Sequence, residues 1–486
     1  MTHLARSNIK LLKQFFSGKG MLTAAVWYTV ANFFVNAMSL FATPIFTRLL
    51  DPADYGIVSQ YVMWNSIISL FVGLQVFSSF NNAKSDYGDE SLNKYISSVT
   101  VITILSFGFI AGTGLLFIDF FSKIIGLGKE LFILVLFQSF FTNCISILSM
   151  KFICTQKRYL FIILSIIVAI TKISLSIVLV INMLPETRYL GRIYGVAIPT
   201  FIIGGITLFY ILYSGKFFIS LKYWRYCLTL SLPLILHALS GLLLAQSDRY
   251  MLAKLVDNHA VGIYSFAYAV GSIVATIGIS FNNAWVPWYY DKTKKGLNDD
   301  ILKTYKSYRA IIIMMTVGFI FIIPEITRIM GSAEYQSGIY ITPIIVVGSF
   351  FSFLYKFPVN YEFYHRKTLW ISLGTMFAAI VNIILNFLLI PVFKEIGAAV
   401  STLISYALLF IVHDIIVRRT LIGFQIRRKD LFLSAILVST ITILFYFLID
   451  YLLLRYMFLI GFIIVFFCYI FGRKSVRLLF NKKSIK

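Results

Sequence analysis

Two lysines of this chain lie inside apolar stretches, where a charged side chain is rare. Lys172 falls near the middle of the apolar run 159–183, and Lys356 lies within the run 338–362. Because a charge is costly in apolar surroundings, such a side chain is expected to face a polar interior. A lysine ammonium is a compact hydrogen-bond donor that suits a phosphate group. We therefore predict that Lys172 and Lys356 bind a phosphate or diphosphate, with extension to lipid headgroups as the alternative for Lys356.

Polar and aromatic side chains recur along one face of other apolar runs. Their spacing places each set on one side of a helix. Amides and hydroxyls there could bind sugar hydroxyls, and tyrosine rings could stack on a sugar; hydrogen bonding between neighbouring helices is the alternative for the amides and hydroxyls. The histidine of this set would be either a core residue whose ring nitrogens are hydrogen-bonded, or a residue that contacts phosphate or takes part in proton transfer. The candidates are Asn32, Asn36, Ser39, His237, Tyr264, Tyr268, Asn282, Asn382 and Asn386.

Two arginines stand just beyond the ends of apolar runs. Arg48 follows the run 22–46, and Arg249 follows the run 227–247. We expect both at a membrane surface, where a guanidinium group can bind a diphosphate. Asp248 precedes Arg249 and is predicted to pair with it locally at that surface.

All of these residues need apolar helices to position them. The chain has 486 residues, 59% of them hydrophobic, and its mean hydropathy is +0.86. Apolar runs of about 20 residues are long enough to cross a bilayer as helices, and they predict an all-α membrane protein with about fourteen transmembrane helices. The runs are 22–46, 57–80, 95–118, 131–150, 159–183, 193–213, 227–247, 261–285, 310–323, 338–362, 369–390, 397–415, 431–449 and 457–471.

The basic residues alternate between the connections and so predict the orientation. Of the 43 Lys and Arg residues, 31 fall in the two tails and the even-to-odd connections, whereas 10 fall in the opposite connections. Basic residues concentrate on the cytoplasmic side of membrane proteins, so both termini are predicted to be cytoplasmic. The longest connection, about 286–309, is predicted on the same side. The net charge of +23 then reflects cytoplasmic loops and contact with anionic lipid, and without a basic soluble domain nucleic-acid binding has no support.

Two pairs of segments indicate an internal repeat. TRLLDPADYGIVSQY (47–61) is similar to AKLVDNHAVGIYSFA (253–267), and YGVAIPTFI (194–202) is similar to IGAAVSTLI (396–404). A six-helix unit used twice explains both pairs, and an even helix number makes the copies parallel, with a substrate in a central cleft between them. The predicted divisions are 1–213 for the first six helices, 214–226 for a basic-aromatic interfacial connector, 227–418 for the second six helices, and 419–486 for two further helices and a basic tail.

The pattern Asp-x-x-x-x-Gly-Ile is present in both copies of the first repeated segment. In the first copy Asp51 is followed by Pro52 and Gly56. These residue types suit a tight turn and the start of the next helix. We therefore predict a structural role for this pattern and no chemistry.

Three segments resemble a known family. They are RLLDPADYG (48–56), DRYMLAKLVDNHAVGIYSFAY (248–268) and NIILNFLLIPVFKEIGAAVSTLISYALLF (382–410). With the helix number and topology, they resemble the polysaccharide biosynthesis flippases of the multidrug/oligosaccharidyl-lipid/polysaccharide (MOP) superfamily over roughly residues 20–470. The family motifs are largely structural, so they assign no catalytic residue and do not distinguish the sugar.

The resemblance implies a function and a location. Members of the family move undecaprenyl-diphosphate-linked oligosaccharide repeat units from the inner to the outer leaflet of the bacterial plasma membrane. The units feed O-antigen, capsule or exopolysaccharide assembly. The implied partners are the lipid-linked oligosaccharide, membrane lipids, and a polysaccharide polymerase with its chain-length machinery. No enzymatic activity is implied.

Two other functions stay open on the sequence. A small-molecule or drug exporter of the same superfamily would be expected to hold an acid within the membrane, whereas Glu325, Glu362, Asp414 and Asp450 all sit at predicted helix ends. A membrane polysaccharide polymerase would need a substantial outer loop, and every predicted outer loop is short. The chain has no G-x-x-x-x-G-K-[ST] loop for ATP, and its four cysteines lack metal-ligand spacing. We therefore predict no cofactor and no metal.

Overall fold

The computed structural model describes residues 37–38 and 40–481, and every regular element in this part of the chain is helical. Three short 3-10 turns accompany the α-helices, at Val76–Ser79, Pro185–Thr187 and Ala333–Tyr335. The α-helices are α1 (Leu40–Leu49), α2 (Pro52–Gly73), α3 (Phe80–Leu116), α4 (Ile118–Ile125), α5 (Lys129–Cys154), α6 (Arg158–Asn182), α7 (Arg188–Gly215), α8 (Leu221–Leu255), α9 (Asn258–Lys294), α10 (Asn298–Phe321), α11 (Ile323–Met330), α12 (Gly338–Leu354), α13 (Lys356–Tyr364), α14 (Thr368–Thr420), α15 (Arg428–Leu448) and α16 (Leu452–Asn481).

The helices confirm the predicted all-α membrane architecture. Among the described residues, ten helical segments are long and apolar enough to cross a membrane, and the bent pair α10–α11 makes an eleventh if it is one span. Each of the fourteen predicted runs overlaps a helix. The protein is therefore a multi-pass membrane protein.

The helix α14 contains two of the predicted runs. Lys394 interrupts it with a left-handed φ of 47° and a ψ of −126°, so the segments 368–393 and 395–420 are two helices joined by a reversal. Gly397 permits the reversal, because a Cβ at this position would meet the backbone carbonyl of Leu389. The sequence prediction of two separate spans here is correct.

Prolines mark the breaks within two other spans. Only Tyr355 separates the helices α12 and α13. Pro358 follows Leu354 by four residues and has no N–H, so the Leu354 carbonyl lacks its helical hydrogen bond. The helices α10 and α11 meet at an angle of 62°, and Pro324 lies in the first turn of α11. Both predicted runs therefore exist as broken helices.

The predicted long connection near 286–309 is largely helical. The helix α9 continues to Lys294 and α10 begins at Asn298, so the link is only a tight turn, in which Gly296 has a φ of 69°. The length of an apolar run in the sequence indicates only the part of a helix that lies in the bilayer. Charged residues such as Lys292 and Asp300, which form an ion pair at 2.7 Å, extend these two helices beyond it.

The repeated Asp-x-x-x-x-Gly-Ile segments start two helices in the same way. The Asp51 carboxylate accepts a hydrogen bond from the backbone N–H of Asp54 at 2.8 Å, and the Asp257 carboxylate accepts one from Ala260 at 2.7 Å. Both aspartates thus cap the N-terminus of the following helix. The predicted structural role of this pattern is confirmed.

The chain divides into two compact units, 1–262 and 263–486. The first has an apolar core in which Phe80, Tyr95 and Cys227 are fully buried. In the second, a chain of aromatic contacts links Trp285 to Tyr308, at 5.2 Å between ring centroids. The helix α8, which contains Cys227, belongs to the first unit. The predicted division at 213–227 and the six-helix repeat stay predictions.

Candidate functional site

Lys172 is held half-buried near the middle of α6. It forms no hydrogen bond and no ion pair with any of the described residues. Ser176 lies one helical turn further along the same face of α6, so a group bound to this serine is a neighbour of the lysine.

Arg192 is that neighbour. It projects from the first turns of α7, and its Nη1 donates to the Ser176 hydroxyl at 2.8 Å. The guanidinium lies over the ring of Phe46, with 3.8 Å from its central carbon to the ring centroid. Lys172 lies within the electrostatic field of Arg192. Neither cation pairs with a carboxylate among the described residues, so together they form a centre of positive potential.

Tyr55 in the first turn of α2 joins this cationic group to α8. The phenol lies within electrostatic range of both Arg192 and Arg249 and bonds to Thr43 of α1. Arg249 is partly buried, and its Nη1 also donates to the Ala245 carbonyl at 3.1 Å. Tyr55 thus lies between Arg192 and Arg249, and Lys172 lies in the field of Arg192. We call these three side chains with Tyr55 the cationic group.

Arg48 lies outside the cationic group as the structure has it. Its side chain is exposed, and Nη1 donates to the Pro44 carbonyl of its own helix at 2.7 Å. The predicted surface pair of Asp248 with Arg249 is wrong in its location, because Asp248 is fully buried. The reason is that Asp248 and Arg249 follow one another on a helix and therefore point in different directions, one of them into the unit.

Lys356 occupies the break between α12 and α13 in the second unit. Its side chain is half-buried, and it has no hydrogen bond or ion pair to the residues that the structure describes. One turn along, Asn360 donates through Nδ2 to the Asn282 side chain at 2.9 Å. Lys356 is thus a desolvated cation beside an amide pair, and a role in binding an anion stays a prediction.

The asparagines of α14 lie in its hairpin, and their predicted contact with the cargo stays a prediction. Asn382 and Asn386 are fully buried. Asn386 Nδ2 donates to the Asn382 side-chain oxygen Oδ1 at 3.1 Å, and Asn382 Nδ2 lies 3.5 Å from the Thr402 hydroxyl across the hairpin. The contact between Asn382 and Thr402 joins the two halves of α14.

The remaining predicted residues differ in accessibility. Tyr264 is fully buried, and its ring lies 6.1 Å from that of Tyr268, which is half-buried. In this conformation only Tyr268 has surface to offer a sugar. His237 is half-buried in α8. The predicted contacts of Asn32, Asn36 and Ser39 lie outside the described residues.

The sequence did not single out Arg192 as part of this site. It stands near the predicted end of a helix, where a basic residue is usually placed in the headgroups. One feature of the sequence could have indicated Arg192: it follows Arg188 by four residues, at the start of a helix that faces α6. Only the hairpin of α6 and α7 turns its side chain inward to Ser176.

The structure also contains an aromatic cavity of about 290 Å³ in the second unit. It lies between α9 and α10, and sequence analysis did not predict it because its residues belong to two helices. Trp285, Trp288 and Tyr308 line it together with the hydroxyls of Thr304 and Ser307. Such a surface can stack on a sugar ring or hold a lipid ester.

The predicted connector 214–226 is a turn followed by the start of α8. Trp224 donates through Nε1 to the Ser98 carbonyl at 2.9 Å, and the Tyr226 hydroxyl donates to Asp86 at 2.5 Å. Lys222 lies over the ring of Tyr87, at 5.5 Å from its centroid. The connector is therefore packed onto α3.

No three His, Cys, Asp or Glu side chains of the described residues come together as a metal site would require.

Comparison with known proteins identifies relatives of this chain. A family model described as "Polysaccharide biosynthesis protein" matches residues 21–292. Protein 1 of the Lsg locus of Haemophilus influenzae is 25% identical over 380 residues, which cover 74% of this chain and 88% of that protein.

Two kinds of solved structure share the fold. The lipid II flippase MurJ in its inward closed conformation superposes with a TM-score of 0.73 at 16% identity, covering 93% of this chain and all of MurJ. The inward-facing conformation of a multidrug resistance MATE family transporter of the MOP superfamily gives a TM-score of 0.58 at 12% identity, covering 85% of this chain and 98% of the transporter. The protein has the fold of these transporters.

Proposed function

The chain belongs to the polysaccharide biosynthesis protein family, and from this premise we propose that it exports lipid-linked oligosaccharides across a bacterial plasma membrane. The cargo is an undecaprenyl-diphosphate-linked repeat unit that moves from the inner to the outer leaflet. The products are surface polysaccharides of the O-antigen, capsule or exopolysaccharide type. Both termini are cytoplasmic on this proposal.

The cationic group is the observation that supports this proposal most directly. Lys172 and Arg192 lie within electrostatic range of one another without a carboxylate partner among the described residues, and both Arg192 and Arg249 lie within electrostatic range of Tyr55. Two neighbouring cations repel one another in an apolar surrounding, and a diphosphate removes that repulsion. A site of this kind favours an anionic ligand over a cationic drug.

The energetics explain why such a site is needed. Carrying a charge to the centre of a bilayer costs at least several kcal/mol, and each sugar hydroxyl without a partner adds to that cost. Cations and hydrogen-bonding groups inside the protein replace the lost hydration, while the polyprenyl tail stays in lipid. An inside-negative potential of 100 mV favours outward movement of two negative charges by about 4–5 kcal/mol.

Alternating access is the mechanism that we propose. The lipid-linked unit enters from the cytoplasmic leaflet, its diphosphate binds to lysine and arginine side chains, and the transporter then opens to the outside. Lys172 of the first unit and Lys356 of the second hold the diphosphate in turn. Arg249 and Arg48 receive it on the outer side, and Tyr268, Asn282 and His237 are candidates for contact with the rest of the cargo.

The test uses a strain that lacks this gene but still builds the repeat unit. Undecaprenyl-diphosphate-linked glycan is expected to accumulate in the inner leaflet, and surface polymer to disappear. Supplying Lys172→Ala, Arg192→Ala or Lys356→Ala at normal protein level should not restore the polymer, whereas Lys172→Arg should restore part of it. Lys94→Ala is the matched control, since Lys94 is exposed on α3, and it should restore export fully.

The opposite result is equally clear. Unchanged glycan lipid and unchanged surface polymer in the deletion strain would show that the cargo is something else. Full export by all three alanine variants would leave the flippase in place but remove Lys172, Arg192 and Lys356 from its mechanism.

Export of small molecules or drugs is the second candidate. The sequence argument against it was that no acid lies within the membrane, but Asp248, Glu362 and Asp414 are fully buried. Asp414 pairs with Arg418 and Arg428, at 2.8 and 2.6 Å, and Glu362 contacts a histidine, so two of the three have positive or protonatable partners. Increased drug susceptibility of the deletion strain, with normal surface polymer, would favour this candidate.

A further inference from the structure

The second unit buries a carboxyl group and an imidazole against one another. Glu362 lies in α13 and His413 in the second half of α14, and neither side chain has any exposed surface. His413 Nδ1 is 3.0 Å from both carboxyl oxygens of Glu362. The pair is thus a hydrogen-bonded unit that water does not reach in this conformation.

The other ring nitrogen of His413 is open. His413 Nε2 is buried and has no hydrogen-bond partner among the described residues. Gly374 of the facing helix leaves room there, because a Cβ at this position would lie 2.7 Å from Nε2. A proton can therefore reside on this nitrogen without displacing another donor.

Two groups next to the pair are titratable. Tyr355, at the junction of α12 and α13, places its ring 5.7 Å from that of His413, and its hydroxyl lies in the field of Glu362. Lys356 follows Tyr355 in the chain and begins the helix that carries Glu362. The pair therefore adjoins a lysine that the proposed function assigns to the cargo.

Tyr361 and Asp414, which lie on the same elements, have partners elsewhere. Tyr361 donates its hydroxyl to the Ile422 carbonyl at 2.8 Å. Asp414 is bound by Arg418 of its own helix and by Arg428 of α15. The two arginines are thus committed to Asp414, and the charge of Glu362 is balanced by His413 or by a proton.

Proton counting shows what the pair requires. With a neutral imidazole that donates from Nδ1, the carboxylate keeps its charge and the pair carries −1. One proton from water, added at Nε2, yields imidazolium and carboxylate with no net charge. A buried net charge costs far more than one unmade hydrogen bond, and His413 Nε2 is the position where an added proton would remove that charge.

We propose that Glu362 and His413 form a proton-binding site that couples the export of the cargo to the movement of a proton. The coupling rests on the proposed function, whereas the proton site itself does not. The site fills while it is open to water on one side and empties after the second unit rearranges. Lys356 begins the helix that carries Glu362. A proton on the pair and an anionic cargo bound at Lys356 therefore influence one another through their charges.

The first measurement is nitrogen NMR of the purified, reconstituted protein labelled at its histidines. The chain has only five histidines, so the spectrum of His413→Gln identifies the His413 signals. Infrared absorption of the same samples reports a protonated carboxyl group. We expect the wild-type pair to hold one proton more than a neutral imidazole and a carboxylate do, as an imidazolium or a carboxylic acid, and Glu362→Gln to convert His413 to a neutral ring. A neutral His413 beside an ionised Glu362 from acid to alkaline pH would overturn the proposal.

The second measurement places the protein in liposomes with a pH-sensitive dye and adds undecaprenyl-diphosphate-linked glycan extracted from the deletion strain. The wild type should move protons when the glycan lipid is flipped, and Glu362→Gln should lose this proton movement. The matched controls are Glu334→Gln and His365→Gln, because both residues are exposed in the same unit; both should behave as wild type. Undiminished proton movement with Glu362→Gln would refute the coupling.

The two measurements separate this inference from the proposed function. If the wild type fails to flip the glycan lipid, the proposed cargo is wrong, but the NMR result still decides whether the proton site exists. If the glycan lipid is flipped at the same rate with and without a pH gradient, the cargo is right and the coupling is wrong. Glu362→Gln keeps the shape of the side chain, and a melting curve shows whether it folds.

Discussion

Gly56 and Gly262 face one another where the first turns of α2 and α9 cross. A Cβ on Gly56 would meet the backbone carbonyl of Asn258, and a Cβ on Gly262 would meet the backbone carbonyl of Pro52. Gly262 follows Gly56 by 206 positions, and Asn258 follows Pro52 by the same interval. The contact is therefore reciprocal, and the two copies of the repeated segment pack against one another through equivalent atoms.

This crossing should not accept a side chain. Gly56→Ala and Gly262→Ala each force a methyl group into a backbone carbonyl, and overpacking of this kind costs about 1–3 kcal/mol or more. We expect both variants to unfold at lower temperature in detergent. Gly108→Ala is the control, since nothing lies within 4 Å of a Cβ there, and it should be neutral or stabilising. Melting points equal to wild type for both crossing variants would contradict the close approach.

The two helix caps should contribute equally. Asp51→Ala and Asp257→Ala each remove the acceptor of one backbone N–H at a helix start, which costs about 1 kcal/mol. The exposed Asp119, which pairs with Lys129, provides the comparison, because surface ion pairs contribute about 0–1 kcal/mol. Chemical unfolding followed by tryptophan fluorescence would measure the three changes. A loss at only one of the two caps would show that the repeated segments are not equivalent.

Arg192 should bind the diphosphate by charge and by hydrogen bonding. Removal of one charged hydrogen bond costs about 1.5–3 kcal/mol, so Arg192→Gln should weaken binding of undecaprenyl diphosphate to the purified protein at least tenfold. Arg192→Lys keeps the charge and should retain intermediate affinity. The binding should also weaken as salt is added. Equal affinity for all three proteins, measured by microscale thermophoresis, would exclude this arginine from the site.

Asp414 should be a structural residue. It is fully buried, whereas its partners Arg418 and Arg428 are partly exposed, and losing a hydrogen bond to a charged group costs about 1.5–3 kcal/mol. Asp414→Asn is therefore expected to lower the melting point strongly, by freeing the segment between α14 and α15. Asp291→Asn, which breaks the exposed pair with Lys295, should have little effect. If both changes had the same small effect, the buried network would not stabilise the second unit.

Asn382 should stabilise the hairpin of α14 through Thr402. In a double-mutant cycle with Asn382→Ala and Thr402→Val, we expect an interaction energy of about 0.5–1.5 kcal/mol. Glycan-lipid binding should stay unchanged in both single variants, because the pair joins two helices and is buried. Additive effects on stability, together with weaker binding, would instead return these residues to the cargo site.

Several features of the fold follow from local sequence. A helix satisfies its own backbone hydrogen bonds, so apolar length is enough to indicate a membrane span. For this reason each predicted run overlaps a helix, and the residues of the segment 47–61 correctly indicate a turn with a capping aspartate. The sequence did not predict that the connection near 286–309 is largely helical, because hydropathy does not reveal how far a helix continues into water.

The chemistry of the interior depended on the tertiary structure. Lys172 was identifiable because its own surroundings in the sequence are apolar, whereas Arg192, Glu362 and His413 stand near helix ends, where sequence predicts exposure. Their burial results from the way neighbouring helices pack, as with Ser176 against Arg192 and Gly374 against His413. The sequence by itself determined which segments enter the membrane, since that depends on local transfer free energy. The tertiary structure decided which charges meet inside it, since that depends on contacts between residues far apart in the chain.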